Sequence, residues 1–318
     1  MRRYRVLTWH VHGSYLYYLA QTGHEIWLPV RPGAGRGADG YPGRTPSYPW
    51  PDNVREVPAD RVRDLEFDLV LFQSRKNWLE DQWEILSVDQ RRLPKIYLEH
   101  DPPREHPTDT LHPVDDPGVL LVHVTPFNRL MWDARRTPTV VIEHGVTEPP
   151  AGLQWTGELA KGVTVVNHLR RRGRRLGADV FEQCRGAVPL DLVGMGWEES
   201  DGLGEIPHAA LPAFLARYRF FFNPIRYTSL GLSICEAMMT GLPVVGLATT
   251  ELVTVIRDGE SGILSTRPER LVEGMRELIR DPGEARRLGE AARRIARERF
   301  GIARFARDWT DVFGRVCA

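Results

Sequence analysis

Short runs of apolar residues recur through the first half of the chain, and longer polar or mixed segments separate them. Runs of this length are typical of strands that are buried on both faces of a parallel sheet. We predict such strands over residues 5–9, 25–30, 68–73, 95–99, 119–124 and 139–143. Since helical or loop-like stretches lie between most of them, this half of the chain has the pattern of an α/β domain.

The same pattern restarts after residues 148–152, which contain Pro149-Pro150 and which we interpret as a linker. Strands are predicted over residues 162–166, 190–193, 219–223 and 243–247, and amphipathic helices over 267–280 and 282–299. The restart predicts two doubly wound, Rossmann-like domains that face each other across a cleft, with ligands beyond the carboxyl ends of the strands. The predicted domains are residues 1–150 and 151–300, and residues 301–318 form a C-terminal helix that returns toward the first domain.

Composition narrows the class of protein. The 318 residues are 42% hydrophobic and 26% charged, which excludes a wholly disordered chain. Basic and acidic residues both number 42, so no net charge draws the chain to nucleic acid. Three distant cysteines without a C-x-x-C motif argue against a disulfide framework or a cysteine zinc site. No apolar stretch approaches the ~20 residues of a membrane span, and the N-terminus is too polar for a signal peptide. We expect a soluble, cytoplasmic protein.

A loop rich in glycine and proline occupies residues 31–52. It contains a formal G-x-G-x-x-G pattern over residues 35–40, after a predicted strand. A dinucleotide-binding fingerprint needs a helix directly afterwards, whereas Tyr41-Pro42-Gly43 follows here, so we reject that interpretation. A mobile loop near the mouth of the cleft and a surface loop without a role both remain open.

The segment over residues 220–246 carries the clearest local signals. Three phenylalanines predict a buried strand, which Asn223-Pro224 ends. Ser229 is predicted to be the N-cap of the helix that follows, with Gly231 in its first turn. The helix is predicted to run to about Thr240, and Gly241 suits a left-handed C-terminal cap.

A helix that starts at the carboxyl edge of a sheet is an anion site, because its first amide N–H groups lack intrahelical partners. Gly231 would let a phosphate approach the backbone closely. Glu236, farther along the helix, could accept hydrogen bonds from two sugar hydroxyls. The alternative is an ordinary strand–helix–strand unit with Glu236 facing solvent, and the spacing alone leaves both open.

These residues resemble the donor-binding motif of the retaining GT-B glycosyltransferases of family 4, the group 1 transferases. The matching positions are Pro224, Gly231, Glu236-Ala237-Met238, Gly241 and Pro243-Val244-Val245. Residues 193–196, 204–211 and 258–264 resemble three further motifs of the family in the family's order. The resemblance extends over residues 160–300.

The resemblance implies a GT-B fold and transfer of a hexose-type sugar from a nucleoside diphosphate donor, UDP- or GDP-linked, with retention of anomeric configuration. It implies no metal and no further cofactor, and the chain contains no D-x-D pair. The donor-binding residues that we predict in this segment are Arg226, Thr228, Ser229, Leu230, Gly231 and Glu236.

Thr228 is the clearest departure from the family pattern, because it stands where the family has the first of two glutamates, eight positions before Glu236. In the family the first glutamate contacts the transferred sugar and the second contacts the ribose. Glu236 can therefore keep the ribose contact, whereas Thr228 offers no carboxylate to the sugar. Arg226 adds a positive charge to the loop, which we interpret as a phosphate contact.

An arginine-rich segment, R-R-R-G-R-R, covers residues 170–175. By composition alone it is a nucleic-acid patch or a solvated face. The family has here a segment whose basic residues neutralise the donor pyrophosphate, and His168 and Arg172-Gly173 resemble it. The resemblance implies a catalytic role for Arg172 beside the leaving diphosphate, with Arg170 or Arg174 as substitutes, and a donor contact for His168.

His100 follows a predicted strand at the place where the family has a histidine that faces the reacting sugar. The resemblance implies a catalytic role, with His100 donating a hydrogen bond to a donor hydroxyl or an acceptor oxygen. It also implies that His12 and Gly13 lie near the diphosphate. The alternatives are a plain core or surface histidine, or a metal site formed by His10, His12, His100 and His106, whose spacing matches no known motif.

Two other functions use the same two-domain architecture. A nucleotide-sugar epimerase or hydrolase needs no acceptor, and a non-catalytic sugar-nucleotide binder would agree with the missing carboxylate at Thr228. The acceptor, whether a glycan, a small molecule or a lipid-linked compound, is not identified by the sequence, nor is the oligomeric state.

Overall fold

The computed structural model describes residues 2–34, 40–196, 198 and 201–318. The chain forms two compact units. The N-terminal unit comprises Met1–Gly145 together with Ile302–Ala318, and the C-terminal unit comprises Val146–Gly301. No helix within the described ranges is both long and apolar enough to cross a membrane.

The N-terminal unit contains a parallel sheet in the strand order β3-β2-β1-β4-β5-β6-β7. Its strands are β1 (Arg5–Thr8), β2 (Glu25–Val30), β3 (Val54–Pro58), β4 (Leu69–Phe72), β5 (Lys95–Glu99), β6 (Val119–His123) and β7 (Thr139–Val141). The order reverses between β1 and β4, and ligands bind at such a switch point in open α/β sheets.

The C-terminal unit contains a second parallel sheet, in the order β12-β11-β10-β8-β9. Its strands are β8 (Leu159–Val165), β9 (Leu190–Val193), β10 (Tyr218–Asn223), β11 (Val244–Leu247) and β12 (Gly262–Ser265). Here the switch point lies between β8 and β10. Both sheets have the doubly wound, Rossmann-like topology that the sequence predicts.

Helices connect the strands. They are α1 (Gly13–Ala20), α2 (Gln82–Ile85), α3 (Pro126–Met131), α4 (Leu169–Arg172), α5 (Ala178–Arg185), α6 (Leu211–Leu215), α7 (Leu232–Thr240), α8 (Leu252–Val255), α9 (Pro268–Arg280), α10 (Pro282–Phe300) and α11 (Ile302–Val316). A π-helical segment at Asn77–Asp81 leads into α2, and 3-10 turns occur at Ala59–Asp64, Gln90–Arg92, Gly173–Leu176 and His208–Ala210.

Helix α11 packs against the rest of the N-terminal unit through one apolar face. Phe305, Trp309 and Phe313 are fully buried and recur every four residues, the spacing of a single helix face. Trp309 Nε1 donates to the hydroxyl of Tyr15 on α1 at 3.1 Å. Burial of each such aromatic side chain contributes about 1.5–3 kcal/mol, so α11 is a substantial part of this unit's core.

Most predicted strands exist, with differences at their ends. The predictions for 25–30, 95–99 and 190–193 match β2, β5 and β9, and the remaining strands start or end within a few residues of their predicted positions. Two strands, β3 and β12, were not predicted. Strand β3 lies at the edge of its sheet and exposes Arg55 and Glu56, so it lacks a continuous apolar run.

The glycine- and proline-rich loop is only partly described. The G-x-G-x-x-G pattern falls mostly on residues 35–39, which lie outside the described residues. After this pattern, Tyr41 is buried in the core of the N-terminal unit. The Arg31 guanidinium lies 4.0 Å from the centre of the Tyr41 ring. The loop thus supplies a core residue to this unit.

Candidate functional site

The start of helix α7 is the centre of the site in the C-terminal unit. Strand β10 is buried along its whole length, and Asn223-Pro224 ends it as predicted. The N-cap of α7 is Gly231, so the prediction of Ser229 is wrong. Gly231 has an extended backbone, with ψ at 133°, and the helical turn therefore begins only at Leu232. Gly241 ends the helix in the predicted left-handed conformation, with φ at 95°.

Because the cap is a glycine, no side chain caps the first turn of α7. A methyl group built at Gly231 would meet nothing nearer than Ser233 Oγ at 3.5 Å. The packing of the protein therefore does not require a glycine here. Its small size keeps space open above the helix start, where the helix dipole favours an anion.

Glu236 lies on α7 and pairs with His208. Its Oε1 is 3.1 Å from His208 Nε2, and the two side chains are only 11% and 12% exposed. The interpretation of Glu236 as a solvent-facing residue is therefore wrong. His208 opens the 3-10 turn after Pro207. His208 lies within the motif at residues 204–211, and its pairing with Glu236 was not predicted.

The loops after β8 and β10 lie side by side. Ser233, in the first turn of α7, donates through Oγ to the carbonyl of Val165 at the end of β8, at 3.2 Å. The loop after β9 joins them, because the His168 N–H donates to the carbonyl of Met195 at 2.6 Å. A methyl group at Gly196 would come within 2.5 Å of His168 Nδ1. The structure thus brings His168 and the start of α7 to the switch point of this sheet.

The arginine-rich segment, residues 170–175, forms α4 and a 3-10 turn. Arg172 is half-buried, whereas Arg170 and Arg174 are exposed and pair with Glu182 and Asp179. Arg175 is also half-buried. Its carbonyl accepts from the N–H groups of residues 226 and 227 at 3.1 and 3.2 Å, which joins this segment to the loop before α7.

Arg226 is engaged by a carboxylate. Its Nη1 and Nη2 lie 2.5 and 2.8 Å from the two carboxylate oxygens of Asp179 on α5. This hydrogen-bonded pair raises the pKa of Arg226 and lowers the pKa of Asp179. The geometry gives Arg226 a role in anchoring the loop. Thr228 in that loop is half-buried, whereas Ser229 and Leu230 are buried.

A second group of candidate residues lies in the N-terminal unit, beyond the carboxyl ends of β1, β4 and β5. The His12 and His100 rings are 4.1 Å apart, and the Tyr15 ring lies 4.9 Å from His100. His100 Nε2 is 3.0 Å from Oε1 of Gln73, which follows β4. Desolvation, and then the nearby His12 and His144, hold the pKa of His100 well below its usual range. Gln73 was not predicted as a site residue.

Gly13 starts α1 directly after His12. A methyl group there would lie 2.7 Å from the Tyr48 ring, so close packing of Tyr48 requires glycine at this position. The alternative of a metal site formed by four histidines is not supported by their placement. His10 contacts Trp50, whereas His106 is exposed, and within the described part of the chain no three His, Cys, Asp or Glu side chains are placed to hold a metal ion.

Residues 197–295 match the family model of glycosyl transferases group 1. This range includes His208, Gly231 and Glu236, the residues that form the site around α7. Over these residues the C-terminal unit is similar to the group 1 glycosyltransferases. The predicted resemblance to the group 1 transferases is therefore confirmed.

The similarity to one curated relative extends beyond the residues that the family model matches. Alpha-maltose-1-phosphate synthase from Mycobacterium tuberculosis (strain CDC 1551 / Oshkosh) is 25% identical over 236 residues, 65% of this chain and 60% of that protein. The chain thus aligns with less than two thirds of that relative's length.

Two solved structures show the fold. Sucrose-phosphate synthase from Thermosynechococcus elongatus is 16% identical with a TM-score of 0.66, over 99% of each chain. Anabaena HepE, solved in complex with UDP and glucose, is 16% identical with a TM-score of 0.66, over 98% of this chain and 100% of HepE. The predicted GT-B fold with Rossmann-like domains is confirmed.

Proposed function

We propose that this glycosyltransferase moves a hexose-type sugar from a nucleoside diphosphate donor to an acceptor, with retention of configuration and without a metal ion. The observation that carries the proposal is the Glu236–His208 pair beside the uncapped start of α7. A carboxylate can accept hydrogen bonds from two ribose hydroxyls, and an open helix start accommodates the diphosphate. The donor is UDP- or GDP-linked, and the complex of HepE with UDP supports UDP as the first candidate.

Arg172 is proposed to meet the charge that develops on the leaving diphosphate. It is half-buried in the segment after β8, and this segment is tied to the loop that precedes α7. A guanidinium that is held in place before the reaction stabilises developing charge without reorganisation. Arg172 and the start of α7 together would supply the positive charge that a metal ion provides in other transferases.

The proposed chemical step is a front-side displacement. The bond between the anomeric carbon and the donor phosphate oxygen breaks, and the acceptor oxygen bonds to the anomeric carbon on the same face. The acceptor proton passes to the departing phosphate oxygen, which takes the bonding electron pair. Configuration is then retained, and no separate protein base is needed. His100 and His12 are proposed to contact hydroxyls of the bound substrates.

The test begins with nucleotide binding. UDP, GDP and other nucleoside diphosphates are compared by thermal stabilisation, since a ligand at 100 times its Kd adds about 2.7 kcal/mol to the free energy of unfolding. Stabilisation by UDP or GDP is expected for the native chain and should be weaker for Glu236→Ala. The matched control is Glu290→Ala, which removes an exposed carboxylate of α10 in the same unit.

Transfer is then measured with the donor sugar of the best nucleotide and a panel of glycans, small hydroxylated molecules and lipid-linked compounds. A new glycoside that retains the donor's anomeric configuration, formed in the presence of EDTA, supports the whole proposal. Donor consumption without any glycoside in the whole panel would favour a hydrolase or epimerase. Binding without consumption would favour a non-catalytic sugar-nucleotide binder.

A further inference from the structure

Glu99 is the last residue of strand β5, and its carboxylate joins the strand to the segment that follows. Glu99 Oε1 accepts from the backbone N–H of Asp101 at 2.9 Å. The paired residues of β5 and β6 end at Glu99 and His123, so Asp101 lies beyond the ladder. The carboxylate of Glu99 therefore takes the place that a strand carbonyl would have for this N–H.

The second carboxylate oxygen of Glu99 contacts His112, a fully buried histidine. Glu99 Oε2 lies 3.3 Å from His112 Nε2. The other ring nitrogen, Nδ1, accepts from the backbone N–H of Val114 at 3.1 Å. A backbone N–H only donates, so Nδ1 carries no proton and the proton of the imidazole is on Nε2. Nε2–H thus donates to Glu99, and both oxygens of this carboxylate accept from an N–H group.

His112 is fixed by its surroundings. Its backbone N–H donates to the carbonyl of Asp133 at 2.9 Å. Its ring lies edge-on to the rings of Tyr97 and Trp132, with ring centres 4.9 and 5.0 Å away. Since both the backbone and the ring of His112 are held, this residue holds the carboxylate of Glu99 in one orientation.

The segment that Glu99 holds contains His100, which is proposed to contact substrate hydroxyls. Both backbone groups of Asp101 are engaged, because Trp132 Nε1 donates to its carbonyl at 2.8 Å while its N–H donates to Glu99. His100 lies between Glu99 and Asp101, so its backbone is fixed on both sides. These two neighbours determine the direction in which the His100 side chain leaves the sheet.

We infer that Glu99 is a positioning residue whose carboxylate, oriented by His112, fixes the backbone of His100-Asp101 and so places His100 at the substrates. The catalytic part of this inference rests on the proposed function. Glutamate is required because two N–H groups converge on it, and a carboxylate offers an acceptor to both. An amide of the same shape has one oxygen and one NH₂, so whichever way it turns, a donor faces one of the two N–H groups.

A purely structural role of Glu99 makes a different prediction. If the carboxylate only closes the end of β5, its loss lowers stability but leaves the turnover of the folded enzyme unchanged. If it positions His100, its loss lowers kcat. The affinity for UDP should stay the same in either case, because the proposed ribose contact, Glu236, belongs to the C-terminal unit.

The first experiment examines the two hydrogen bonds in the full chain, without donor or acceptor. With ¹⁵N-histidine labelling and assignment by His112→Phe, the native His112 should show a protonated Nε2 and a bare Nδ1 at pH 7. Glu99→Gln should speed amide hydrogen exchange at Asp101 by about tenfold, because this N–H loses its acceptor. A bare Nε2 in the native chain would overturn the inference, and so would exchange at Asp101 that Glu99→Gln leaves unchanged.

The matched control is Asp116→Asn. Asp116 lies just before β6, and its carboxylate also accepts from the backbone N–H two residues later, that of Gly118 at 2.8 Å. The control changes a comparable hydrogen bond at the amino ends of the strands and should leave the exchange at Asp101 unchanged. If it speeds this exchange as much as Glu99→Gln does, the exchange reports the stability of the whole unit and the inference is contradicted.

Turnover supplies the second readout once an acceptor is known. Glu99→Gln should lower kcat about tenfold and leave the Kd of UDP unchanged. In the His112→Phe background the amide oxygen can face Asp101 while its NH₂ meets no N–H, so the same substitution should lower kcat by less than about twofold. A full loss in that background, or a kcat that Glu99→Gln leaves unchanged, would refute the positioning role.

The two readouts also separate this inference from the proposed function. If no form of the chain shows transfer with any acceptor, the proposed function fails. The spectrum of His112 and the exchange at Asp101 then still decide whether Glu99 holds the segment.

Discussion

His208 Nε2 lies 3.1 Å from Glu236 Oε1, and the pair closes a separation of 28 positions in the chain. The contact orients one carboxylate oxygen of Glu236. This residue lies on α7, five positions after the N-cap, Gly231. A ribose that binds to Glu236 would therefore meet a carboxylate whose rotamer is already restricted. This relationship gives the first prediction.

Glu236→Ala should weaken nucleoside diphosphate binding by about 1.5–3 kcal/mol, the usual range for hydrogen bonds to a charged group. His208→Ala should weaken it less, by about 1 kcal/mol, because the carboxylate remains but is no longer oriented. Calorimetric titration of both variants and of the double variant measures the coupling. Strictly additive losses would mean that His208 does not act through Glu236.

Arg172→Ala should lower kcat much more than it weakens nucleotide binding. The charge that Arg172 is proposed to meet grows only as the diphosphate leaves, so the loss concentrates in the transition state. A loss of about 100-fold in kcat corresponds to about 2.7 kcal/mol. The matched control is Arg171→Ala, an exposed neighbour in the same segment. If Arg172→Ala lowers kcat and nucleotide binding equally, or changes neither, the role would move to Arg170 or Arg174.

Acid should destabilise the N-terminal unit through His123. This residue, at the end of β6, is fully buried, and neither ring nitrogen has a hydrogen-bond partner among the described residues. Desolvation, with smaller effects of His112 and Arg129, lowers the pKa of His123 to about 3. Between this value and the unfolded value of about 6.5, the unfolded chain binds more protons, so stability falls as the pH falls. The loss is about 2–3 kcal/mol at pH 4.5.

Replacement of His123 by phenylalanine tests this pH dependence. His123→Phe removes two buried polar atoms without partners and should be at least as stable as the native chain at pH 7. Urea unfolding at pH 7 and pH 4.5 should show a smaller difference for the variant. Part of the difference should remain, because His24 and His100 also have lowered pKa values. The control is His106→Gln, which changes an exposed histidine and should show the same pH dependence as the native chain. If His123→Phe also showed the native pH dependence, the assignment to His123 would be contradicted.

The sequence was a good guide wherever one local pattern determined the structure. Strand β5 has three consecutive buried apolar residues, Ile96-Tyr97-Leu98, and a paired strand on each side, and its bounds were predicted correctly. The C-terminal cap of α7 followed from Gly241 alone. The N-cap was predicted wrongly, because the extended backbone at Gly231 delays the helix and the amino-acid types at this position do not reveal it.

Contacts between distant positions explain what sequence reasoning missed in the site. Gln73 reaches His100 over 27 positions, and Arg226 reaches Asp179 over 47. Neither partner could be recognised from spacing, because the sheet order brings the loops together only in the folded chain. Arg226 is an example. From the sequence we interpreted its charge as a contact to the donor phosphate, whereas in the structure its guanidinium pairs with the carboxylate of Asp179.

The last prediction concerns Thr228, a half-buried residue three positions before the N-cap of α7. The family has a glutamate here that contacts the transferred sugar, whereas a threonine hydroxyl is shorter and uncharged. We expect the native enzyme to use a donor that lacks the hydroxyl gripped by that glutamate, because a buried polar contact left unmade costs about 1–3 kcal/mol. Thr228→Glu should then shift the preference toward the fully hydroxylated donor by about tenfold or more, measured as the ratio of kcat/KM values for deoxy and fully hydroxylated donors. Thr228→Gln, of similar size but uncharged, should shift this ratio less, and a ratio that neither substitution changes would mean that Thr228 does not face the sugar.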